Sequence, residues 1–359
     1  MVAFHRVGVQ EASRIIDGCP EAINGRKASM NKRYDILGAG IAAVDDLIYV
    51  SEYPPVDCKV PVHGSTRQGG GPACTAIATV GSLGGRVAYV ARFGNNDLSR
   101  FIESALEQRG VDVSHIVDDP SGGPYHSVIV VDAQGHRNVF YNPALYRVVQ
   151  PDQLPDKLIQ SAALLLLDHI TEPSLTLVAE KARRLGVPVL GDIEGCTESA
   201  KSLAALTDYL IVPKAWALWA SGCNNPGKAC AFLASTERRA TVVTDAAEGC
   251  YFKSGTDDAV RHYPAFKVDV FDTTGCGDTF HGAFALAVAR ELAVEDAIIF
   301  ATAAAALKAR AAGGQRRGWD ALPSFAEVAH FLQHTLQEPE RSSVLPRLQL
   351  LGNLVACDE

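Results

Sequence analysis

The sequence predicts an α/β fold: a doubly wound, mostly parallel sheet with helices on both faces and a small β lid. Three observations carry this. From residue 161 onward, short apolar runs at 162–167, 188–191, 207–212 and 240–244 are spaced as in parallel βαβ units, with a helical stretch at 174–185 between the first two. Two β-rich runs, 126–132 and 137–141, meet through Ala133-Gln134-Gly135, which is a hairpin signal. A chain of 359 residues with 47% hydrophobic and 21% charged residues can bury a full core.

In chain order, residues 34–37 and 46–50 read as strands around Gly38-Ala39-Gly40. Pro54, Pro55 and Pro61 impose an extended course on the segment that follows. Gly69-Gly70-Gly71-Pro72 opens a helix over 73–83, with proline in the first turn where its missing N–H costs little, and Gly84-Gly85 ends it. A buried strand at 87–90 and a helix at 99–109 come next. Later, a β-rich run over 265–272 leads into Ala-rich helices at 279–293 and 294–312, and a last helix covers 323–334. These boundaries predict a flexible extension at 1–33, a catalytic domain at 34–335 with its lid from 45–68 and 124–142, and a tail at 336–359 carrying an amphipathic fragment at 344–354.

Composition excludes several function classes. The apolar runs are far too short for a membrane span, and the first 33 residues hold no continuous apolar stretch of the kind a secretory signal needs. Nine scattered cysteines without a C-x-x-C pair argue for reduced thiols and a cytoplasmic location. A net charge of −8 with no clustered basic surface disfavours nucleic acid as a partner. Gly38-Ala39-Gly40-Ile41-Ala42-Ala43 matches a short dinucleotide fingerprint, but a strand rather than a helix is expected after it, so a dehydrogenase is disfavoured.

The chemistry concentrates in Asp272-Thr273-Thr274-Gly275-Cys276-Gly277-Asp278. Glycines let the amides of 275–278 converge at a helix N-terminus, where the dipole favours an anion. Asp278 at its mouth either caps the helix or takes the proton of an attacking hydroxyl. Spacing alone does not choose between the two.

This stretch resembles the Asp-Thr-x-Gly-Ala-Gly-Asp signature of the ribokinase-like (PfkB-type) carbohydrate kinases, and the resemblance extends in order over about residues 34–330. It implies that Asp278 is the base, that Gly275, Cys276 and Gly277 supply an anion hole, and that ATP is used with Mg²⁺. It also implies a monovalent cation near Asp272, as in some relatives. Asp45 matches an aspartate that holds sugar hydroxyls, and Gly69, Gly70 and Gly71 match a substrate loop, with Cys74 in place of an asparagine. Thr244, Glu248 and Gly249 resemble the segment lining the nucleotide, and Gly314 the loop beside the base. The usual Asn-x-x-Glu is absent: the chain reads Val212-Pro213-Lys214-Ala215-Trp216, so the metal ligands are unknown from sequence.

Within that family the chain most resembles the sulfofructose kinase and ketohexokinase-like branch. Lys59 falls near a lysine used there for a sulfonate, but an arginine expected after Asp168 is Ile170. Arg137 is the candidate to supply that charge. Losing the preferred bidentate partner of an oxyanion weakens the sulfonate reading and favours a neutral or weakly anionic ketose. A nucleoside kinase and a non-catalytic sugar-binding regulator are the alternatives. A homodimer through the lid is expected from a β edge at 128–131.

Overall fold

The computed structural model describes residues 32–353 apart from 135, 169–172 and 256, and not the side chains of 312, 350 and 353. The predicted extension therefore lies almost wholly outside the described residues, as do Gly135 of the hairpin turn and Ile170.

The strands in chain order begin with β1 (Tyr34–Ala39), β2 (Ala43–Tyr49), β3 (Gly64–Gly70), β4 (Val87–Val90) and β5 (Arg92–Phe93). They continue as β6 (Val111–Asp112), β7 (Val117–Asp118), β8 (Tyr125–Val131), β9 (Arg137–Asn142) and β10 (Ala162–Asp168). The last are β11 (Val189–Asp192), β12 (Tyr209–Pro213), β13 (Ala240–Thr244), β14 (Cys250–Ser254) and β15 (Arg261–Tyr263). Nine of them form one sheet in the order β15-β14-β13-β12-β11-β10-β1-β4-β6, parallel except where β14 and β15 turn back at one edge. Alternation along β1 and β10 feeds two cores. Ile36, Leu164 and Leu166 enter the cluster under helices Pro72–Ser82, Cys276–Ala289 and Val294–Gly314. Leu37, Leu165 and Leu167 enter the other, under helices Ser174–Arg184 and Glu198–Ala205. Strands buried on both faces explain why the apolar runs read as continuous rather than alternating.

The lid is a second sheet, β3-β2-β8-β9. The strand at 128–131 is not an edge: β8 lies between β2, parallel to it, and β9, antiparallel. The free edges are β3 and β9, and Val139, Phe140 and Tyr141 on β9 are exposed.

Two expectations need correction. Residues 265–272 form no strand beyond β15; they run half-buried to exposed toward helix Val294–Gly314, where the amides of Phe271 and Asp272 both donate to the Ala309 carbonyl. Their β-rich alternation reflects one side resting on a helix, not a ladder. The segment after 336 also contributes to the packed body. Helix Glu340–Asn353 buries Val344, Leu348 and Leu351, and Arg347 clasps the buried Asp296 at 2.6 and 2.8 Å. Short helices Lys214–Ser221 and Pro226–Leu233 follow β12, in a stretch for which no element is predicted above. Among the described residues no helix is long and apolar enough to cross a membrane.

Candidate active site

The C-terminal ends of the parallel strands converge where β1 hands over to the lid. The chain enters β2 directly after Gly40 instead of opening a helix, so the short fingerprint there builds no dinucleotide site. Asp168, at the end of β10, ties this corner together: its Oδ2 accepts from the Ile41 amide at 2.7 Å and from the Ala73 amide at 3.2 Å. The second of these amides sits in the first turn of helix Pro72–Ser82, where donors lack intrahelical partners.

Beside this corner is a cleft of about 330 Å³, lined by lid and sheet residues together. Asp45, Gln68, Gly69, Gly70 and Gly71 come from the lid side. Thr274, Gly275, Asp278 and Lys308 come from the glycine-rich corner and the helix behind it, and Thr75, Gly318 and Trp319 close the wall. The glycines at 69 and 70 are required by close approach. A Cβ on Gly69 would lie 2.7 Å from the Trp319 ring, and one on Gly70 would lie 2.3 Å from Asp45 Oδ2. Trp319 is fixed there by its indole N–H, which donates to Thr75 Oγ1 at 3.0 Å.

The corner at 272–278 has the form expected of an anion cradle. Gly275 is the N-cap of helix Cys276–Ala289 with φ of 75°, a left-handed conformation that costs a residue with a side chain about 1–2 kcal/mol. Asp272 Oδ1 accepts from the Thr274 amide at 2.9 Å and holds the turn. The Cys276 amide donates to the Thr273 carbonyl at 3.2 Å, while those of Gly275, Gly277 and Asp278 have no backbone acceptor among the described residues. The Cys276 side chain is half-buried, and burial pushes its thiol up to about 11, which disfavours the thiolate.

Asp278 sits in the first turn of that helix and faces the cleft. Burial pushes its carboxyl well above the ordinary carboxylate range, and the charges of Asp192, Glu194 and Asp168 push the same way against the opposing His281. Asp192 ends β11 in register with Asp168. It is fully buried, both its carboxylate oxygens lack a hydrogen bond, and burial drives its carboxyl strongly upward. His281 stands one turn after Asp278, with Nδ1 2.7 Å from the Gly277 carbonyl and Nε2 3.3 Å from Asp192 Oδ1. Because a carbonyl only accepts, Nδ1 donates to Gly277, and Nε2 also lies 3.4 Å from the Ile211 carbonyl.

The predicted residues divide by place. Asp45, Gly69, Gly70, Gly71, Gly275 and Asp278 meet in one cleft. Burial raises the Asp45 carboxyl, opposed by its hydrogen bond with Ser127. Arg137 reaches the same corner from β9, donating to Thr274 Oγ1 at 2.5 Å. Lys59 is exposed on the loop between β2 and β3 and is not among the residues lining the cleft. Thr244 ends β13 and Glu248 and Gly249 follow it, outside the residues lining this cleft, beside a Lys214–Asp245 ion pair of 3.0 Å. Gly314 ends helix Val294–Gly314 at φ of 82°, where a Cβ would strike the Phe271 ring. Lys308, Trp319, Thr75, His281 and Asp192 were not singled out by the sequence. A lone lysine inside the alanine run 303–309 was the visible signal for the first.

The pfkB family carbohydrate kinase profile matches residues 39–321. The chain belongs to the pfkB family of carbohydrate kinases. It is an ATP-dependent enzyme of that class. It is 25% identical to an ATP-dependent ribose-1-phosphate kinase of Halopiger xanaduensis over 83% of this chain and 97% of that protein. It is 25% identical to a ribokinase of Haemophilus influenzae over 85% of this chain and all of that protein. In fold it matches the structure of Arabidopsis thaliana ribokinase complexed with ribose and ATP, with a TM-score of 0.72 at 20% identity, over 83% of this chain and 98% of that one.

Proposed function

We propose that this pfkB kinase transfers the terminal phosphoryl group of ATP to a hydroxyl of a monosaccharide, with Asp278 as general base. The observation that carries the reading is the placement of Asp278, the Gly275 cradle and Asp45 around one cleft. Asp45 accepts hydrogen bonds from sugar hydroxyls and orients the acceptor. The Asp278 carboxylate takes the proton of the reacting hydroxyl, whose oxygen forms a bond to the terminal phosphorus. The bond from that phosphorus to the bridging oxygen breaks, and ADP leaves with the pair. The amides of the 275–277 turn stabilise the charge on the equatorial oxygens. Thr244, Glu248, Gly249 and Gly314 hold the rest of the nucleotide along the neighbouring strand ends.

Mg²⁺ fits the donor set. Among the described residues no three ligand side chains are gathered into a cage, but Mg²⁺ with a nucleotide needs only one or two carboxylates beside phosphates and water. The mutually repelling carboxylates around Asp278 include an orphaned Asp192 and an exposed Glu194. Glu194 is the candidate to hold the ion in place of the missing Asn-x-x-Glu, with Asp192 behind it. Bound there, the metal would neutralise phosphate charge. A monovalent cation beside Asp272 would share that carboxylate with Lys308, whose Nζ is 3.8 Å away.

The acceptor we favour is a neutral ketose-like sugar. Its support is the absence of Lys59 from the cleft lining and the carboxylate of Asp45 within it, a poor setting for a sulfonate. We expect a cytoplasmic homodimer that pairs through the lid, whose outer strand β9 exposes Val139, Phe140 and Tyr141. ADP release measured over a panel of ketoses, aldoses and nucleosides tests the reading. Turnover on ketoses supports it, and turnover confined to nucleosides overturns it.

A further inference from the structure

Lys308 lies on helix Val294–Gly314 within the alanine run 303–309, and its side chain is 2% exposed. Its Nζ has no hydrogen-bond acceptor among the described residues. The nearest countercharge, Asp272 Oδ2, is 3.8 Å away, beyond hydrogen-bonding distance. Its neighbours Ala303 and Ala304 are fully buried, so packing at this place asks for an apolar side chain. A buried ammonium without hydrogen bonds is costly, and the cost is recovered only when acceptors arrive.

The cleft is where they can arrive. Lys308 lines it, directly behind the anion cradle. A Cβ built on Gly275 would lie 3.8 Å from Lys308 Cε and 3.9 Å from Asp278 Oδ2, so the lysine stem and the proposed base flank the same glycine. The amides of Gly275, Gly277 and Asp278, without backbone acceptors among the described residues, lie at the helix N-terminus, and Lys308 adds a full positive charge beside them.

We propose that Lys308 is a phosphate-binding residue of the reaction, donating to an oxygen of the terminal phosphoryl group of the bound nucleoside triphosphate. It moves no proton; it supplies charge as the bond to the bridging oxygen breaks. The assignment rests on the kinase reading of this cleft and adds to it a side-chain cation behind the backbone amides. The same phosphate chemistry could be offered by a sugar phosphate, but the lysine lies against the cradle and not against Asp45, which places the nucleotide's terminal group first.

The test is Lys308→Met in the full chain, with three readouts. Titration of the β,γ-methylene analogue of ATP should show binding weakened by at least about tenfold, the scale of a lost charge-assisted hydrogen bond, with ADP affinity changed less than about twofold. Turnover should fall by at least the same factor. The unliganded variant should melt at the same temperature as wild type or higher, because an uncompensated buried charge is gone. Unchanged analogue binding, equal losses for ADP and the analogue, a loss confined to a phosphorylated sugar, or a variant that is destabilised or unfolded would each overturn the assignment. The binding arm needs no acceptor, so wild type that binds the analogue but turns over no sugar would count against the proposed function and not against Lys308.

Discussion

Arg137 on lid strand β9 donates to Thr274 Oγ1 in the glycine-rich corner at 2.5 Å, linking positions 137 residues apart. The lid is thereby tied to that corner. Arg317 adds a second tie, its guanidinium 4.6 Å from the Tyr49 ring of the lid and 5.6 Å from the Phe271 ring before the cradle. A lid held over the site excludes water and positions the acceptor.

Replacing Arg137 by Gln should therefore raise KM for the sugar by about tenfold, the value of one lost charge-assisted contact. Because the residue is exposed, the melting temperature should stay within a degree or two of wild type. Steady-state kinetics beside thermal melts check both.

Gly275→Ala probes the cradle itself. Its new methyl would meet only ordinary contacts, the nearest at 3.5 Å from Thr75 Cγ2, so the cost is the left-handed backbone alone, about 1–2 kcal/mol. We expect a folded protein with turnover reduced well beyond that small loss of stability, measured by denaturation and ADP release in parallel.

Asp192 gives a pH prediction whose sign is unusual for a carboxylate. Its folded pKa is raised above the unfolded value, so it contributes stability that is fully present below the unfolded pKa and is lost as pH rises through the folded one. Without ligand, wild type should become more stable relative to Asp192→Asn as pH is lowered from neutral toward the unfolded carboxylate pKa. At neutral pH the variant should be the more stable of the two. Melting curves of both proteins across that range decide it.

Asp35 behaves in the opposite way. Burial alone would raise its carboxyl, but Arg86 and Arg290 outweigh burial and hold it below the ordinary range. Arg290 is itself buried, 2.8 Å from Asp35 Oδ2, and reaches the Leu351 carbonyl at 2.9 Å, so it clamps β1 to the C-terminal helix. Arg290→Met should cost about 3–5 kcal/mol by leaving a buried carboxylate short of a partner. Chemical denaturation checks it.

Much of this was legible in the sequence. Parallel strands buried on both faces announce themselves as apolar runs, and the glycine pattern at 275–277 announces a tight turn into a helix N-terminus. Asp45 and the Gly69–Gly71 loop were legible only through the resemblance to a known family, because one carboxylate and three glycines carry no periodic signal of their own. What escaped depends on tertiary placement. The periodicity at 265–272 is that of a segment lying on a helix, which local pattern does not separate from a strand. Asp192 and His281 acquire meaning only when β11 and helix Cys276–Ala289 bring them within 3.3 Å. Trp319 enters the wall from the short 3-10 helix Gly318–Ala321, which sequence alone leaves unplaced, through its bond to Thr75 244 residues away.

The central claim is that Asp278 is the base. The direct measurement is ATP/Mg²⁺ turnover of wild type and Asp278→Asn on the best acceptor found, with nucleotide affinity measured alongside. A loss of at least about 10²-fold in kcat with nucleotide affinity retained is what general-base catalysis predicts. A variant as active as wild type would contradict the account.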